Sequence, residues 1–221
     1  LCRLHGAILI ADPSITSPLN VDVLPHTDIA VNSLTKYSAS EGDVVAGAIA
    51  INAGSPWAAE LRRFIQVALE PIYSRDLSRL AAQIGDFEPL IDQINRTTPV
   101  VVEFLRNHPR VKNVWWTLQP ESRDNYLKLA RSPSSIGGMV SFTVDDLSRV
   151  YDRLRLPKGP SFGMKNTLIC PFIYLAHYDL VTTAEGRAML QAAGIPHDLL
   201  RLSIGSEPAD EIIASLTEAL G

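Results

Sequence analysis

The stretch Asp28-Ile29-Ala30-Val31-Asn32-Ser33-Leu34-Thr35-Lys36-Tyr37 begins as a short, partly β-branched apolar run and ends in hydroxyls and an amine. The apolar part has the length and composition of a strand buried in a sheet, so its polar end is expected at the sheet's rim. Gly42-Asp43 then turns the chain into a further apolar run, Val44 to Ile51. Upstream, Ala7-Ile8-Leu9-Ile10-Ala11 is a third such run, and it stops at Asp12-Pro13. Three apolar runs this close together predict the interior of an α/β sheet, with Ala7–Ala11 covered on both faces in parallel pairing. Leu1 to His5 is expected to be the last turn of a helix, because Gly6 follows where a left-handed cap belongs. Leu1 is therefore expected to be a truncation point within a longer chain.

Outward from this core, Ser55-Pro56 is a cap followed by proline, and Leu61, Phe64, Ile65, Ala68 and Leu69 recur at helical spacing. A longer helix is expected from about Asp86, with Leu90, Ile91, Ile94, Val101, Phe104 and Leu105 on one face, a kink at Pro99 and a stop at His108-Pro109. Beyond it, short elements alternate. Strands are expected at 111–116, 137–143, 167–169 and 199–204, and helices near 122–130, 145–154, 183–193 and 208–220. The change of texture predicts a second, α+β unit, with the division placed at residues 1–95 and 96–221.

The chain has 221 residues, 46% hydrophobic and 20% charged, which excludes disorder, collagen and coiled coil. Twenty Lys and Arg against twenty-four Asp and Glu leave a formal charge of -4, so no broad basic surface and no nucleic-acid partner are expected. Cys2 and Cys170 lie far apart and form no metal-ligand spacing, which fits a reducing, cytoplasmic setting and no zinc site. No apolar run approaches the roughly 18 residues of a membrane span, so no membrane partner is expected.

Three features point to chemistry, and each has an ordinary structural alternative. Asp12 closes a strand at the end where α/β sheets hold ligands, although aspartate before proline also serves turns. Lys36 follows Ser33 and Thr35 at the neighbouring strand end, where a lone lysine is usually solvated. Arg201 interrupts the apolar run Leu199–Ile204, and if buried it needs an anion, either a structural carboxylate or a substrate's. Together the three form a coherent set for pyridoxal phosphate. That cofactor needs an amine for a Schiff base, an anion at its ring nitrogen, donors for its phosphate and a cation for the amino-acid carboxylate.

The residues also carry a resemblance. Asp28 to Tyr37, followed by Gly42-Asp43-Val44-Val45-Ala46-Gly47, resembles the lysine signature of the Cys/Met-metabolism family of pyridoxal-phosphate enzymes, which includes cystathionine synthases and lyases, methionine γ-lyase and O-acetylhomoserine sulfhydrylases. Ile10-Ala11-Asp12 with Pro18 resembles its aspartate segment, and Gly137 to Phe142 its Gly-Gly-Met strand. Ser161-Phe162-Gly163 resembles its Ser-Leu-Gly segment, and Leu199 to Glu207 its carboxylate-binding strand.

The resemblance implies a fold-type-I architecture: residues 1–95 as the later part of a mostly parallel large domain and 96–221 as the small α+β domain. It implies that Lys36 forms the Schiff base and moves protons at the substrate's α and β carbons. Asp12 would pair with the ring nitrogen, Ser33 and Thr35 would donate to the phosphate, and Arg201, supported by Ser161, would hold the substrate carboxylate. It further implies transsulfuration-type removal or replacement of a sulfur or oxygen group at Cβ or Cγ of a small amino acid, in a homodimer or homotetramer. Departures lie around this set: Pro13-Ser14-Ile15 replaces Asn-Thr-Phe, Arg75-Asp76-Leu77-Ser78-Arg79 replaces the Arg-Gly-x-Lys-Thr segment, and Cys170-Pro171 stands for His-Pro. Roughly the first half of the family's chain is not represented. The opposing expectation is therefore a non-catalytic fragment that folds or associates without turnover. An aldolase-like lysine enzyme without cofactor leaves Asp12, Ser33 and Thr35 unexplained.

Overall fold

Ile10, Ile29 and Ile51 sit side by side in a three-stranded sheet made of β1 (Ile10–Ala11), β2 (Ile29–Ser33) and β3 (Gly47–Ile51). The computed structural model describes residues 1–221. β1 pairs with β2 in parallel, whereas β3 runs antiparallel to β2, with Ser33 opposite Gly47. The mostly parallel pairing expected for this sheet holds for β1 and β2, while at β3 the chain folds back after Lys36, turning through Gly42 (φ 76°), into an antiparallel neighbour.

The run Ala7–Ala11 forms only a two-residue strand, and it is not buried as expected: Ile10 is 56% exposed. The reason lies above the sheet. α1 (Ala58–Ala68) presents Leu61, Phe64 and Ile65 toward Ile10, Ile29 and Ile49 but leaves an apolar groove of 490 Å³ between the layers. Asp28 ties this region together, accepting the Leu9 N–H at 2.8 Å and the Ser55 hydroxyl at 2.6 Å, and these bonds hold its carboxyl below the usual carboxylate range.

α2 (Ser74–Gln83) leads into α3 (Phe87–Asn107), which runs through Pro99. The division expected between residues 95 and 96 falls inside α3. Beyond it lie β4 (Val111–Trp115), α4 (Arg123–Leu127), β5 (Met139–Val144), α5 (Leu147–Arg153), β6 (Leu168–Pro171), three short helices α6 (Phe172–Ala176), α7 (Tyr178–Thr182) and α8 (Ala184–Ala192), β7 (Leu200–Ser203) and α9 (Ala209–Leu220). The four strands form an antiparallel sheet in the order β4-β5-β7-β6.

One face of this sheet, with Val140, Phe142, Leu200 and Leu202, meets Ile94, Val101 and Leu105 of α3 and Ile212, Leu216 and Leu220 of α9. Each such aliphatic side chain contributes about 1.5–3 kcal/mol on burial, so this layer is the main source of stability. The cluster also includes Tyr37, so the residue after Lys36 packs into the same core as the second sheet. Glu207 accepts the Thr167 N–H at 2.6 Å and its hydroxyl at 2.8 Å, while Asp210 and Glu211 occupy the first turn of α9. No helix is long and apolar enough to cross a membrane.

Candidate active site

The end of β1 delivers Asp12 to the sheet's rim, where Pro13 turns the chain back. Asp12 Oδ1 accepts the Ser14 N–H at 2.9 Å and the Ser14 hydroxyl at 2.6 Å. Such a turn is the ordinary use of aspartate before proline. Ser14 Oγ in turn accepts the Ser33 N–H at 2.7 Å, so one hydroxyl fixes the ends of β1 and β2 to each other. Ser14 was visible in the sequence only as a departure from the family's pattern. The second oxygen of Asp12 and the Ser33 hydroxyl make no hydrogen bond within the chain and remain available to a ligand.

After β2 the Thr35 hydroxyl accepts the Ala46 N–H at 3.2 Å and lies 3.4 Å from the Ala46 carbonyl. On the other side of Lys36, Tyr37 is buried and its hydroxyl donates to the Ile15 carbonyl at 3.1 Å; burial pushes its phenol well above the ordinary range. Lys36 thus leaves a backbone pinned at both neighbours. Its Nζ donates to Ser161 Oγ at 3.2 Å and stands 4.9 Å from the centre of the Phe162 ring.

The Ser161–Gly163 segment is itself held against Tyr37. Gly163 has φ 71°, its N–H donates to Ser203 Oγ at 3.1 Å, and a Cβ on it would lie 2.9 Å from the Tyr37 nitrogen. Only glycine allows this approach. Ser203 lies two positions after Arg201 on β7, so the lysine and arginine segments are joined through Gly163.

Arg201 occupies the sheet face opposite the core, in a row with Trp115, Ser141 and Cys170 set by the strand register. Trp115 therefore faces the arginine side, while Trp116 packs against the core beneath Arg106. Arg201 Nη2 donates to the carbonyls of Pro160 and Ser161, the latter at 3.2 Å, and its guanidinium lies 4.6 Å from the Phe172 ring centre. None of the chain's five ion pairs includes it. Of the two anions considered for Arg201 from the sequence, the structural carboxylate is not there. Burial raises the Cys170 thiol beside it, against a smaller lowering by Arg201, and the thiol stays neutral at pH 7.

The structure therefore brings Lys36, Ser161 and Arg201 into one contact network, and places Asp12 and Ser33 on a second, linked through Ser14. His177 lies exposed at the junction of α6 and α7. Phe162 and Phe172 were not singled out from the sequence, although each stands within a segment that departs from, or flanks a departure from, the family's pattern. The donor set fits pyridoxal phosphate chemically: an amine, an unspent carboxylate oxygen, a free hydroxyl and an unpaired cation. No group of three or more His, Cys, Asp or Glu residues suited to a metal ion is present.

Comparison with known proteins agrees. A relative from Streptantibioticus cattleyicolor, L-2-amino-4-chloropent-4-enoate dechlorinase/desaturase, is 41% identical over 96% of this chain and 42% of its own length. Cystathionine gamma-synthase of Neurospora crassa is 32% identical over 96% of this chain and 34% of its own. Among solved structures, a cystathionine gamma-lyase from Micromonospora echinospora superposes with a TM-score of 0.82 at 26% identity, covering 99% of this chain and 57% of that one. The chain thus spans less than half the length of these two curated relatives. The family profile described as Cys/Met metabolism PLP-dependent enzyme matches residues 1–221, and the chain belongs to that family of pyridoxal-phosphate-dependent enzymes.

Proposed function

We propose that this chain carries the lysine and the carboxylate receptor of an enzyme that eliminates or replaces a leaving group at Cβ or Cγ of an amino acid. The observation that carries the reading is convergence on one residue: Lys36 reaches the Ser161 hydroxyl and Arg201 reaches the Ser161 carbonyl, each at 3.2 Å. An amine and an unpaired guanidinium held this close match the amino and carboxylate groups of one α-amino acid. Asp12 would hold the ring nitrogen protonated through its free oxygen, and Ser33 and Thr35 would hold the phosphate. Bound there, the cofactor supplies an acceptor for the electron pair left at Cα.

Arg201 binds the carboxylate and so fixes the orientation of the substrate's Cα beside Lys36. Lys36 takes the proton from Cα and, where the leaving group is on Cγ, a proton from Cβ as well, and returns a proton to the departing group, with Ser161 Oγ orienting its Nζ. Phe162, beside Nζ, excludes water from the path of that proton. Residues 1–95 and 96–221 act as the cofactor-side and substrate-side units, and the whole protein works as a homodimer or homotetramer on a small amino acid.

The test is the full-length protein loaded with cofactor. It is expected to be yellow, to lose that colour on borohydride reduction, and to carry the label at Lys36. A colourless protein that takes up no pyridoxal phosphate supports the opposing reading, a fragment that folds without turnover. A second reading of the substrate is favoured by the 41% identity to an enzyme named for a chlorinated amino acid and by the aromatic ring beside Lys36: a compact hydrocarbon side chain with halide at Cγ. Chloride release from L-2-amino-4-chloropent-4-enoate, without turnover of cystathionine, is the outcome it requires.

A further inference from the structure

Arg201 is surrounded by groups that carry no negative charge, yet it is firmly directed. Two carbonyls, of Pro160 and Ser161, take Nη2. The Phe172 ring lies against the guanidinium at 4.6 Å, and the strand register sets Cys170 directly across from it. Nη1 and Nε donate to no carbonyl or carboxylate of the chain, and the guanidinium's other polar neighbour is the Cys170 thiol. A guanidinium has five N–H groups in one plane, so whatever fixes the plane fixes where the unspent donors point. The carbonyls alone leave rotation about the remaining bonds open, because both lie on the same nitrogen.

Phe172 supplies the missing constraint. It is the first residue of α6, directly after Pro171, whose backbone (φ -78°, ψ 83°) takes the chain from β6 into that helix beside Arg201. The ring is itself anchored, packed against the cluster of Ile173, Val181 and Leu190. An arginine stacks on an aromatic face with its plane restrained, and the attraction grows as water is excluded.

We propose that Phe172 is the positioning residue of the carboxylate receptor: its ring sets the plane of the Arg201 guanidinium, so that the N–H groups not spent on Pro160 and Ser161 meet an incoming amino-acid carboxylate in one orientation. The inference rests on the assignment of Arg201 to the substrate carboxylate. The neighbour across the sheet is the buried Cys170 thiol and the neighbour above is a ring, so no protein carboxylate competes for those N–H groups.

The experiment uses the full-length enzyme loaded with cofactor and two probes that differ by one group, L-norvaline and n-butylamine, each followed by the absorbance change on binding. Phe172→Leu is expected to weaken L-norvaline roughly 3- to 30-fold and to leave n-butylamine within about twofold, the size of a partly desolvated cation–π contact. Phe172→Tyr, which keeps the ring face, is expected to stay within about twofold for both probes. If Phe172→Leu does not fold, 3,4,5-trifluorophenylalanine at position 172 keeps the shape and weakens the face, with an expected loss for L-norvaline of about 2- to 10-fold. Equal weakening of both probes, or unchanged L-norvaline affinity in Phe172→Leu or in the trifluorophenylalanine protein, overturns the proposal. Those outcomes occur in a protein that still takes up cofactor and binds n-butylamine. A protein that takes up no cofactor overturns the proposed function, and this inference with it.

Discussion

Replacing Gly163 by alanine separates two costs that usually arrive together. Gly163 has φ 71°, and a left-handed backbone costs a residue with Cβ about 1–2 kcal/mol. The new methyl would also stand 2.9 Å from the Tyr37 nitrogen and 3.0 Å from its Cγ, so Tyr37 or the Ser161 segment must yield. Overpacking of this kind adds about 1–3 kcal/mol, for a total of about 2–5 kcal/mol. Gly194 is the internal control: its φ is 66°, and nothing lies within 4 Å of a Cβ placed there. Gly194→Ala therefore incurs only the backbone cost. With about 2–4 °C of melting shift per kcal/mol for a unit of this size, the expected losses are about 2–8 °C for Gly194→Ala and about 4–20 °C for Gly163→Ala. Calorimetry on both variants and the parent protein gives the comparison. Equal losses would show that the Tyr37 contact carries no strain and that Gly163 does not join the lysine and arginine segments.

Two further outcomes follow from half-buried hydrogen bonds. Asn95 Oδ1 accepts the N–H groups of Ile136 and Gly137 at 3.1 and 2.8 Å, and its Nδ2 donates to Asn20 at 2.7 Å. Asn95→Ala orphans two donors at once, so about 2–4 kcal/mol should disappear in urea unfolding, and a loss below about 1 kcal/mol would contradict the pairing. Burial raises the Tyr126 phenol to about 12, and its hydroxyl donates to the Ser135 carbonyl at 2.7 Å. Because the folded value lies above the unfolded one near 10, the neutral phenol's contribution is complete below about pH 10 and is lost as the pH rises toward 12. Melting temperatures taken from pH 9 to 12 should fall less steeply in Tyr126→Phe than in the parent protein; parallel curves would refute this.

What the sequence reveals depends on how locally each structure is encoded. α3 is legible because Leu90, Ile94, Val101 and Leu105 repeat at helical spacing and face one core. The helix continues through Pro99, where a kink is expected, and neighbouring Thr98 donates its hydroxyl to the Ile94 carbonyl at 2.8 Å. α2 also carries a stripe at helical spacing, Leu77, Leu80, Ala81 and Ile84, although none of its residues is buried and no helix is expected there from the sequence. α6 and α7 are five residues each, too short for periodicity to show. Asp12, Lys36 and Arg201 stood out because their residue types conflict with, or terminate, apolar runs. Ser14, Asn95 and Phe172 did not, since each acquires its role from a partner distant in sequence, and no local pattern announces such a partner.

The Ser14 bridge and the Phe172 stack belong to different sheets, and this has a consequence for how such a site can diverge. In the proposed assignment, everything that grips the cofactor end, Asp12, Ser14 and Ser33, hangs from β1 and β2, while everything that selects the ligand's acid group, Ser161, Phe172 and Arg201, hangs from the sheet of β4 to β7. Of these ligand-binding residues Lys36 reaches across, beside the packing of Tyr37 against Gly163. Exchange of the segment from Lys158 to Ile204 with that of a relative would therefore transplant ligand preference as a cassette. The transplant would succeed where the incoming segment keeps a glycine at 163 against Tyr37, and it would leave the grip on the cofactor as it was.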